Sequence, residues 1–279
     1  MGLTGFVRSL VPVPVRVRLR RSPLVRRLLA ARYGGVRAAQ HPQAPYTLHF
    51  DGYNCLGWSM GGLPQWEAGP FRMVRDLLER HRPPVVWDIG ANIGLWSLFF
   101  AGIPGGPGRI VSFEPDPYNQ DLLRLNRERN GIDKITIKGL ALSDSSGTVE
   151  FFADDLSRST GSIEEGGAFI EEMYGVRRRR TTVQTTTIDA EVAGGEPPPG
   201  LIKMDVEGHE LKVLRGGERT LREHGPMIFM EVSKNEDAVT ELLHGLGYAL
   251  TDADTGRPTE RAVFSTLAVR PPQTAAATG

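Results

Sequence analysis

The sequence predicts an α/β fold with an open, mostly parallel sheet and helices on both of its faces. Residues 85–89 form a short apolar run that passes through a turn with two glycines into a second apolar segment at 95–100, which is the pattern of strand, tight turn and helix. A further apolar run at 109–114 predicts a neighbouring strand. Strand and helix patterns then alternate to about residue 270, which is typical of a doubly wound sheet.

The chain before this core begins with a basic arm, residues 1–45. The arm holds nine arginines and no acidic residue, so the rest of the chain carries 33 − 9 = 24 basic against 33 acidic residues. Ser22-Pro23, followed by leucines and arginines, predicts the start of a short amphipathic helix. Such a helix either packs on its own acidic domain or lies on an anionic membrane or an acidic partner.

Residues 46–84 connect the arm to the core. They are predicted to hold an edge strand at 46–50 and a lead-in helix at 69–82. The segment 57–61 matches the nucleophile elbow of serine hydrolases, but that motif needs a helix directly after it, and the glycine and proline that follow oppose one. We therefore expect this segment to be a wall or lid of a binding site, or an irregular packing loop.

The core is predicted to span residues 85–270 and to end before a frayed tail at 271–279. After the second strand, the pattern predicts a helix at 116–129, a strand at 134–142 and an added strand at 147–153. A polar insertion at 155–174 follows, and then strands at 181–188 and 201–205. The last predicted elements are a helix at 210–223 interrupted by two glycines, a strand at 227–232, a helix at 236–246, and strands at 248–251 and 262–269.

Composition and charge exclude several classes of protein. The net charge is zero and no apolar run reaches the roughly 18 residues of a membrane span. The single cysteine, Cys55, excludes an internal disulfide and fits a reducing cytoplasm.

Four arginines at 177–180 predict either a solvated face opposite the acidic insertion or a site for a phosphate-bearing substrate. Nucleic acid is not an expected partner, because the body is not basic and no aromatic residues interleave the arginines. Nothing in the sequence specifies the oligomeric state.

The glycine turn after the first core strand predicts a nucleoside site. Gly90 and Gly94 allow the backbone to turn sharply, and Glu114 ends the next strand at the spacing that lets a carboxylate reach a ribose. The dinucleotide fingerprint fits less well, because Asn92 stands where its second glycine would be. Asp88 at the strand tip would repel a pyrophosphate but suits a cationic ligand such as a sulfonium.

Three motifs in order resemble the FkbM family of S-adenosylmethionine-dependent methyltransferases. They are Asp-Ile-Gly-Ala-Asn-Ile-Gly at 88–94, Phe-Glu-Pro-Asp-Pro at 113–117, and Leu-Ile-Lys-Met-Asp-Val-Glu-Gly-His-Glu at 201–210. The resemblance implies a class I methyltransferase, Rossmann-like fold whose last two strands form an antiparallel edge hairpin. It also implies O-methylation of a hydroxyl on a sugar or polyketide-type metabolite.

The resemblance and the spacing together predict the site residues. Those expected to bind the cofactor, S-adenosylmethionine, are Asp88, Gly90, Asn92, Gly94, Glu114, Pro115, Ala141, Leu142 and Asp205. The expected catalytic residues are His209 as the general base, Asp205 to orient it or the acceptor, and Glu207 as the fallback base.

Several alternatives stay open for these residues and for the protein. The acids could cap turns or order backbone amides, Asn92 could hold the loop, and His209 could hydrogen-bond at a helix start. A divalent metal held by the same cluster is possible but not favoured, so no metal ligand is assigned. The rival functions are a non-catalytic cofactor-binding or membrane-tethered scaffold and, less favoured, a nicotinamide-dependent dehydrogenase.

Overall fold

The structure is a computed structural model and describes residues 22–63, 68–154, 161–163 and 178–271. The first part of the basic arm, most of the polar insertion, Arg177 and the end of the tail lie outside the described residues, and so do the predictions made for them. No helix in these four ranges is long and apolar enough to cross a membrane.

The described chain holds helices and strands in alternation. The helices are α1 (Pro23–Tyr33), α2 (Leu56–Ser59), α3 (Ala68–His81), α4 (Leu95–Ala101), α5 (Pro117–Arg129), α6 (Ile188–Ala193), α7 (Glu210–Arg215), α8 (Glu218–His224) and α9 (Glu236–Gly245). The strands are β1 (Val36–Gln40), β2 (Thr47–Asp51), β3 (Val85–Ile89), β4 (Arg109–Phe113), β5 (Ile135–Lys138), β6 (Ala141–Leu142), β7 (Gly147–Asp154), β8 (Gly161–Ser162), β9 (Arg178–Thr186), β10 (Leu201–Met204), β11 (Met227–Glu231), β12 (Ala249–Asp252), β13 (Arg257–Thr259) and β14 (Ser265–Val269).

The central sheet confirms the predicted fold class. Its order is β13-β12-β14-β11-β10-β3-β4-β5. The five strands from β11 to β5 are parallel. At the other edge each successive pair, β11 with β14, β14 with β12 and β12 with β13, is antiparallel. This is the class I methyltransferase arrangement. The strand order reverses between β3 and β10, which is where open α/β sheets form a crevice at the carboxyl ends of their strands.

Both faces of the central sheet are buried, which explains why its inner strands are almost continuously apolar. All five residues of β3 are buried. Val86 faces α3 and α4, where Phe71 stacks on Trp96 with ring centroids 4.1 Å apart. Trp87 faces the opposite side, packed with residues of α7, α8 and α9. The sheet therefore forms a rigid middle layer from which the loops at its carboxyl edge project.

A second sheet, in the order β6-β9-β7-β8, corrects one sequence prediction. The strand predicted at 134–142 is two strands, with β5 in the central sheet and β6 in the second, and the added strand β7 also belongs to the second sheet. Gly139 separates the two parts, and a Cβ there would lie 3.0 Å from the Gln120 side chain. The chain therefore changes sheets where it passes closely over α5.

A second correction concerns the strand predicted at 181–188. It begins earlier, at Arg178, and ends at Thr186. Thr187 then caps α6, with its side chain accepting a hydrogen bond from the Ala190 amide, so Ile188 is helical rather than extended.

The N-terminal segment forms a separate two-stranded sheet. The predicted strand at 46–50 is present as β2, but its partner β1 lies within the segment assigned to the arm, so the boundary at residue 45 falls inside a hairpin. Asn126 ties the hairpin to the core, because its amide group donates to the His49 and Ile93 carbonyls at 2.9 and 2.8 Å. In the following loop, the Ser59 hydroxyl donates to the Gly52 carbonyl at 2.7 Å, which is a packing role.

Candidate active site

The glycine loop that follows β3 has no room for side chains at its two glycines. Gly90 and Gly94 have φ values of 75° and 93°, in the left-handed region that favours glycine. A Cβ at Gly90 would lie 1.8 Å from the Asp205 carbonyl oxygen, and one at Gly94 would lie 2.3 Å from Leu123 Cδ1. The first glycine therefore lets the loop pass directly against the end of β10.

Replacing Gly90 by alanine is expected to lower the free energy of unfolding by more than about 3 kcal/mol, because the new methyl group meets a backbone oxygen in addition to the unfavourable φ. Gly105→Ala is the matched control, since Gly105 has a φ of 63° and nothing within 4 Å of the added carbon. It should lose only about 1 to 2 kcal/mol. Chemical denaturation of both variants measures the difference, and equal losses would contradict the close approach.

Glu114, at the carboxyl end of β4, is held by the loops around it. Its side chain is almost fully buried, and its two oxygens accept hydrogen bonds from the amides of Asn92 and Asp116, each at 2.8 Å. Burial raises the pKa of Glu114 to about 7, against the effect of these amides. The carboxyl group thus joins the glycine loop to the start of α5.

A cleft opens at the carboxyl edge of the sheet, where the strand order reverses. It encloses about 600 Å³, including the open space at its mouth. Eight of the predicted site residues line it: Gly90, Asn92, Glu114, Pro115, Ala141, Leu142, Asp205 and Glu207. These residues come from four separate segments of the chain, so the structure brings most of the predicted site together.

Two residues of the cleft have an unusual backbone. Asn92 and Glu207 have φ values of 52° and 53°, although neither is glycine. Non-glycine residues in this conformation carry strain that the surrounding structure must offset, and such residues cluster at functional sites. Glu207 follows Asp205, whose amide donates to the Ile89 carbonyl at 3.0 Å and whose side chain is 34% exposed. The turn after β10 therefore presents two acids toward the cleft.

Three of the predicted residues lie away from the cleft lining. Asp88 is fully buried, with the Ser97 hydroxyl donating to its Oδ2 at 2.5 Å, and burial raises the pKa of its carboxyl group. Gly94 is the N-cap of α4. His209 is 2% exposed, and its Nε2 lies 2.9 Å from the Ser143 hydroxyl oxygen. The structure thus places the expected base in the wall behind the cleft, linked to the loop after β6.

Several cleft residues were not predicted. Phe151 and Ile163 line the cleft from the second sheet, beside Leu140 and Phe113. Asn119, in the first turn of α5, also lines the cleft and hydrogen-bonds Glu114. Asn119 follows the Phe-Glu-Pro-Asp-Pro motif closely and was detectable on that ground. The sequence carried no signal that β7 and β8 fold over the site.

Lys203 belongs to the motif at 201–210 and carries a charge in the interior of the sheet. It is 3% exposed, and its ammonium lies 3.8 Å from Asp88 Oδ1 and 3.9 Å from Asp205 Oδ2. Within the described part of the chain, no group of three or more His, Cys, Asp or Glu side chains is arranged to hold a metal ion. At the base of the cleft, the buried ammonium of Lys203 thus lies between the side chains of Asp88 and Asp205.

Known proteins were compared with the chain. Residues 88–251 match the family model described as the methyltransferase FkbM domain. The hexuronic acid methyltransferase AglP of Haloferax volcanii is 32% identical over 176 residues, which cover 61% of this chain and 66% of that protein. The 2-O-methyltransferase NoeI of Sinorhizobium fredii is 30% identical over 176 residues, covering 59% of this chain and 69% of that protein.

The match to the methyltransferase sdnD of Sordaria araneosa, 31% identical over 164 residues, covers 50% of this chain and 63% of that protein. The chain thus spans a little under two thirds of AglP and of sdnD. A solved structure of methyltransferase FkbM from Methylobacillus flagellatus is 18% identical, with a TM-score of 0.45 over 88% of this chain and 57% of that one. Because the family model covers more than half of the sequence, the chain belongs to the FkbM methyltransferase family.

Proposed function

We propose that the protein is an S-adenosylmethionine-dependent O-methyltransferase whose acceptor is a hydroxyl of a sugar or polyketide-type metabolite. The observation that carries the proposal is the cleft at the strand-order reversal, where a glycine loop, a buried carboxyl group and two further acids converge. Family membership supports methyl transfer as the reaction.

The cleft residues fit this cofactor. Gly90 lets the glycine loop line the cleft while packed against the end of β10, and Glu114 offers its remaining lone pairs to the ribose hydroxyls. Apolar side chains at Leu140, Leu142 and Phe151 would enclose the adenine. Asp205 is the carboxylate suited to the cationic end of the ligand.

The bound sulfonium would supply an already activated methyl group, so the protein has to align the acceptor and remove its proton. We assign proton removal to Glu207, which lines the cleft, with Asp205 orienting the acceptor hydroxyl or the cofactor. His209 is better suited to hold Ser143 and so to fix the loop that follows Ala141 and Leu142. The general base that we propose is therefore Glu207, whereas the sequence alone favoured His209.

The acceptor class rests on the relatives. AglP is named for a hexuronic acid and NoeI for 2-O-methylation. A sugar hydroxyl is therefore the first acceptor to test. Mass spectrometry of a panel containing uronic acids, neutral glycosides and hydroxylated polyketides should detect the gain of one methyl group, and the gain should be smaller with Glu114→Ala at limiting cofactor.

Calorimetry of S-adenosylmethionine binding separates the rival functions. A non-catalytic scaffold would bind the cofactor and methylate nothing in a broad panel. A dehydrogenase would bind a nicotinamide dinucleotide in competition with S-adenosylmethionine. Absence of S-adenosylmethionine binding to the folded protein would contradict the proposed function itself.

We also propose that the protein works in the cytoplasm and that its basic arm contacts anionic membranes. Leu24 and Leu28 on α1 are 67% and 61% exposed and lie one turn apart, among arginines that can reach lipid phosphates. Burial raises the pKa of the single thiol, Cys55, to about 12, so it stays protonated in a reducing compartment.

The full-length protein is expected to float with vesicles containing phosphatidylglycerol and not with neutral vesicles. The Leu24→Ser and Leu28→Ser double variant should lose flotation, because burial of each leucine contributes about 1.5 to 3 kcal/mol. Phe264→Ser is the control, since Phe264 is 58% exposed but lies outside the arm. Equal flotation of all three proteins would discard the membrane contact.

A further inference from the structure

Lys203 occupies the point where three parts of the cleft meet. It pairs with Asp88 in the register of β10 and β3, and its ammonium donates to the Gly90 carbonyl at 3.4 Å. The same ammonium lies 3.9 Å from Asp205, a residue that lines the cleft. One buried cation therefore touches the interior of β3, the glycine loop and the acid at the tip of β10.

These distances favour a role in the site over a role in stability. Both carboxylates lie beyond direct hydrogen-bond distance from the ammonium, and burying such charges is costly unless the pairing is excellent. An apolar side chain would fill this buried strand position at lower cost, since Leu201, two positions earlier on the same face of β10, is fully buried and apolar. The ammonium does reach hydrogen-bond distance of the loop carbonyl of Gly90.

The partners of Asp88 explain why the cation can act on Asp205. Asp88 Oδ2 is already held by the Ser97 hydroxyl, which also lies 2.8 Å from the Ser112 hydroxyl oxygen. Asp88 is thus fixed behind the loop, whereas Asp205 is 34% exposed at the cleft. The ammonium between them is therefore a buried charge that can orient the more exposed carboxylate.

We infer that Lys203 is a positioning residue, which holds the Asp205 carboxylate and the Gly90 carbonyl in the orientation that receives the cationic methyl donor. The inference rests on the proposed function, because it names that donor as the ligand. It predicts that Lys203 affects binding through Asp205 and not independently of it.

A double-mutant cycle tests this with the affinity for S-adenosylmethionine, measured by calorimetry, as its readout. Lys203→Met and Asp205→Asn should each weaken binding by about tenfold, and the double variant should be no more than about threefold weaker than either, because the first releases and the second removes the same carboxylate. Lys203→Arg keeps the cation and should recover at least about threefold of the affinity lost in Lys203→Met.

Lys138→Met provides the matched control, because Lys138 ends the parallel strand β5 and its ammonium pairs with Glu191 and Glu196. Any change in affinity caused by Lys138→Met should be independent of Asp205, so the fold-changes of Lys138→Met and Asp205→Asn should multiply in the double variant. If Lys203→Met fails to fold, because Asp88 is left buried without its cation, the cycle is run in an Asp88→Asn background. Multiplying effects of Lys203→Met and Asp205→Asn, or tighter binding in Lys203→Met, would overturn the inference while leaving the proposed function intact. Absence of binding to the wild-type protein would instead remove the proposed function.

Discussion

Glu114→Ala is expected to weaken S-adenosylmethionine binding by at least about tenfold in a protein that still folds. The substitution removes the acceptor proposed for the ribose hydroxyls, and charge-assisted hydrogen bonds of this kind contribute about 1.5 to 3 kcal/mol each. It also leaves the amides of Asn92 and Asp116 without their carboxylate, which loosens the glycine loop. Calorimetry measures the affinity, with Glu128→Ala, a change at an exposed acid of α5, as control.

The same carboxyl group predicts a pH dependence of opposite sign for binding and for stability. Its pKa is about 7 in the folded protein, against an ordinary value of 4.5. The acceptor is ionised above that pKa, so affinity should fall as the pH drops through 7. Between about pH 4.5 and 7, Glu114 is protonated in the folded state and ionised in the unfolded state. Its contribution to stability is therefore complete below about pH 4.5 and is lost as the pH rises to about 7.

Calorimetry and thermal unfolding at pH 6 and pH 8 test both signs. Glu210 should change the stability of the folded protein with pH in the same direction as Glu114, because burial also raises the pKa of Glu210 to about 7. Comparison of the wild type with Glu114→Ala isolates the part due to Glu114. An affinity that is independent of pH in the wild type would contradict the assignment of Glu114 to the cofactor.

Glu207→Gln is expected to lower turnover by about 10² to 10⁴, the usual contribution of general acid-base catalysis, while the cofactor affinity stays within about threefold of wild type. The substitution keeps the size of the side chain and removes its ability to take a proton. Turnover is measured by mass spectrometry with an acceptor from the panel, and the affinity by calorimetry.

Two further variants sharpen the result for Glu207. Asp205→Asn should weaken cofactor binding, whereas His209→Ala should mainly cost about 1 to 3 kcal/mol of stability by leaving Ser143 without its buried partner. If His209→Ala abolished turnover and Glu207→Gln did not, the histidine would be the base after all. Loss of activity with a chelator, restored by magnesium, would favour a metal instead.

The sequence predicted the parts of the site that depend on local signals. The strand before Gly90, the two glycines and Glu114 lie within one strand, helix and strand unit, and each has a short-range requirement that its residue type meets. The acids after β10 were predicted for the same reason, because they sit where a parallel strand ends. Most of the cleft lining follows from these local rules.

The rest of the site depends on packing between distant segments. Phe151 and Ile163 reach the cleft because the chain leaves the central sheet after β5 and forms the second sheet, which periodicity does not indicate. His209 lies behind the cleft lining, next to the turn at Gly208 and within hydrogen-bond distance of Ser143, and the direction of such a turn depends on tertiary contacts. The role proposed for Lys203 likewise depends on two carboxylates that neighbouring strands supply.

The pairing of Asp88 with Lys203 joins residues more than a hundred positions apart, because in the described chain six strands, β4 to β9, come between β3 and its neighbour β10. Contacts of such long range close late in folding. The segments of β3, β4 and β5 are synthesised before the acids after β10, so a nascent chain carries Glu114 and the glycine loop before Asp205 and Glu207 are present to complete the cleft. Cofactor binding should therefore be among the last properties a refolding chain acquires, and added S-adenosylmethionine should stabilise the native state without accelerating its formation.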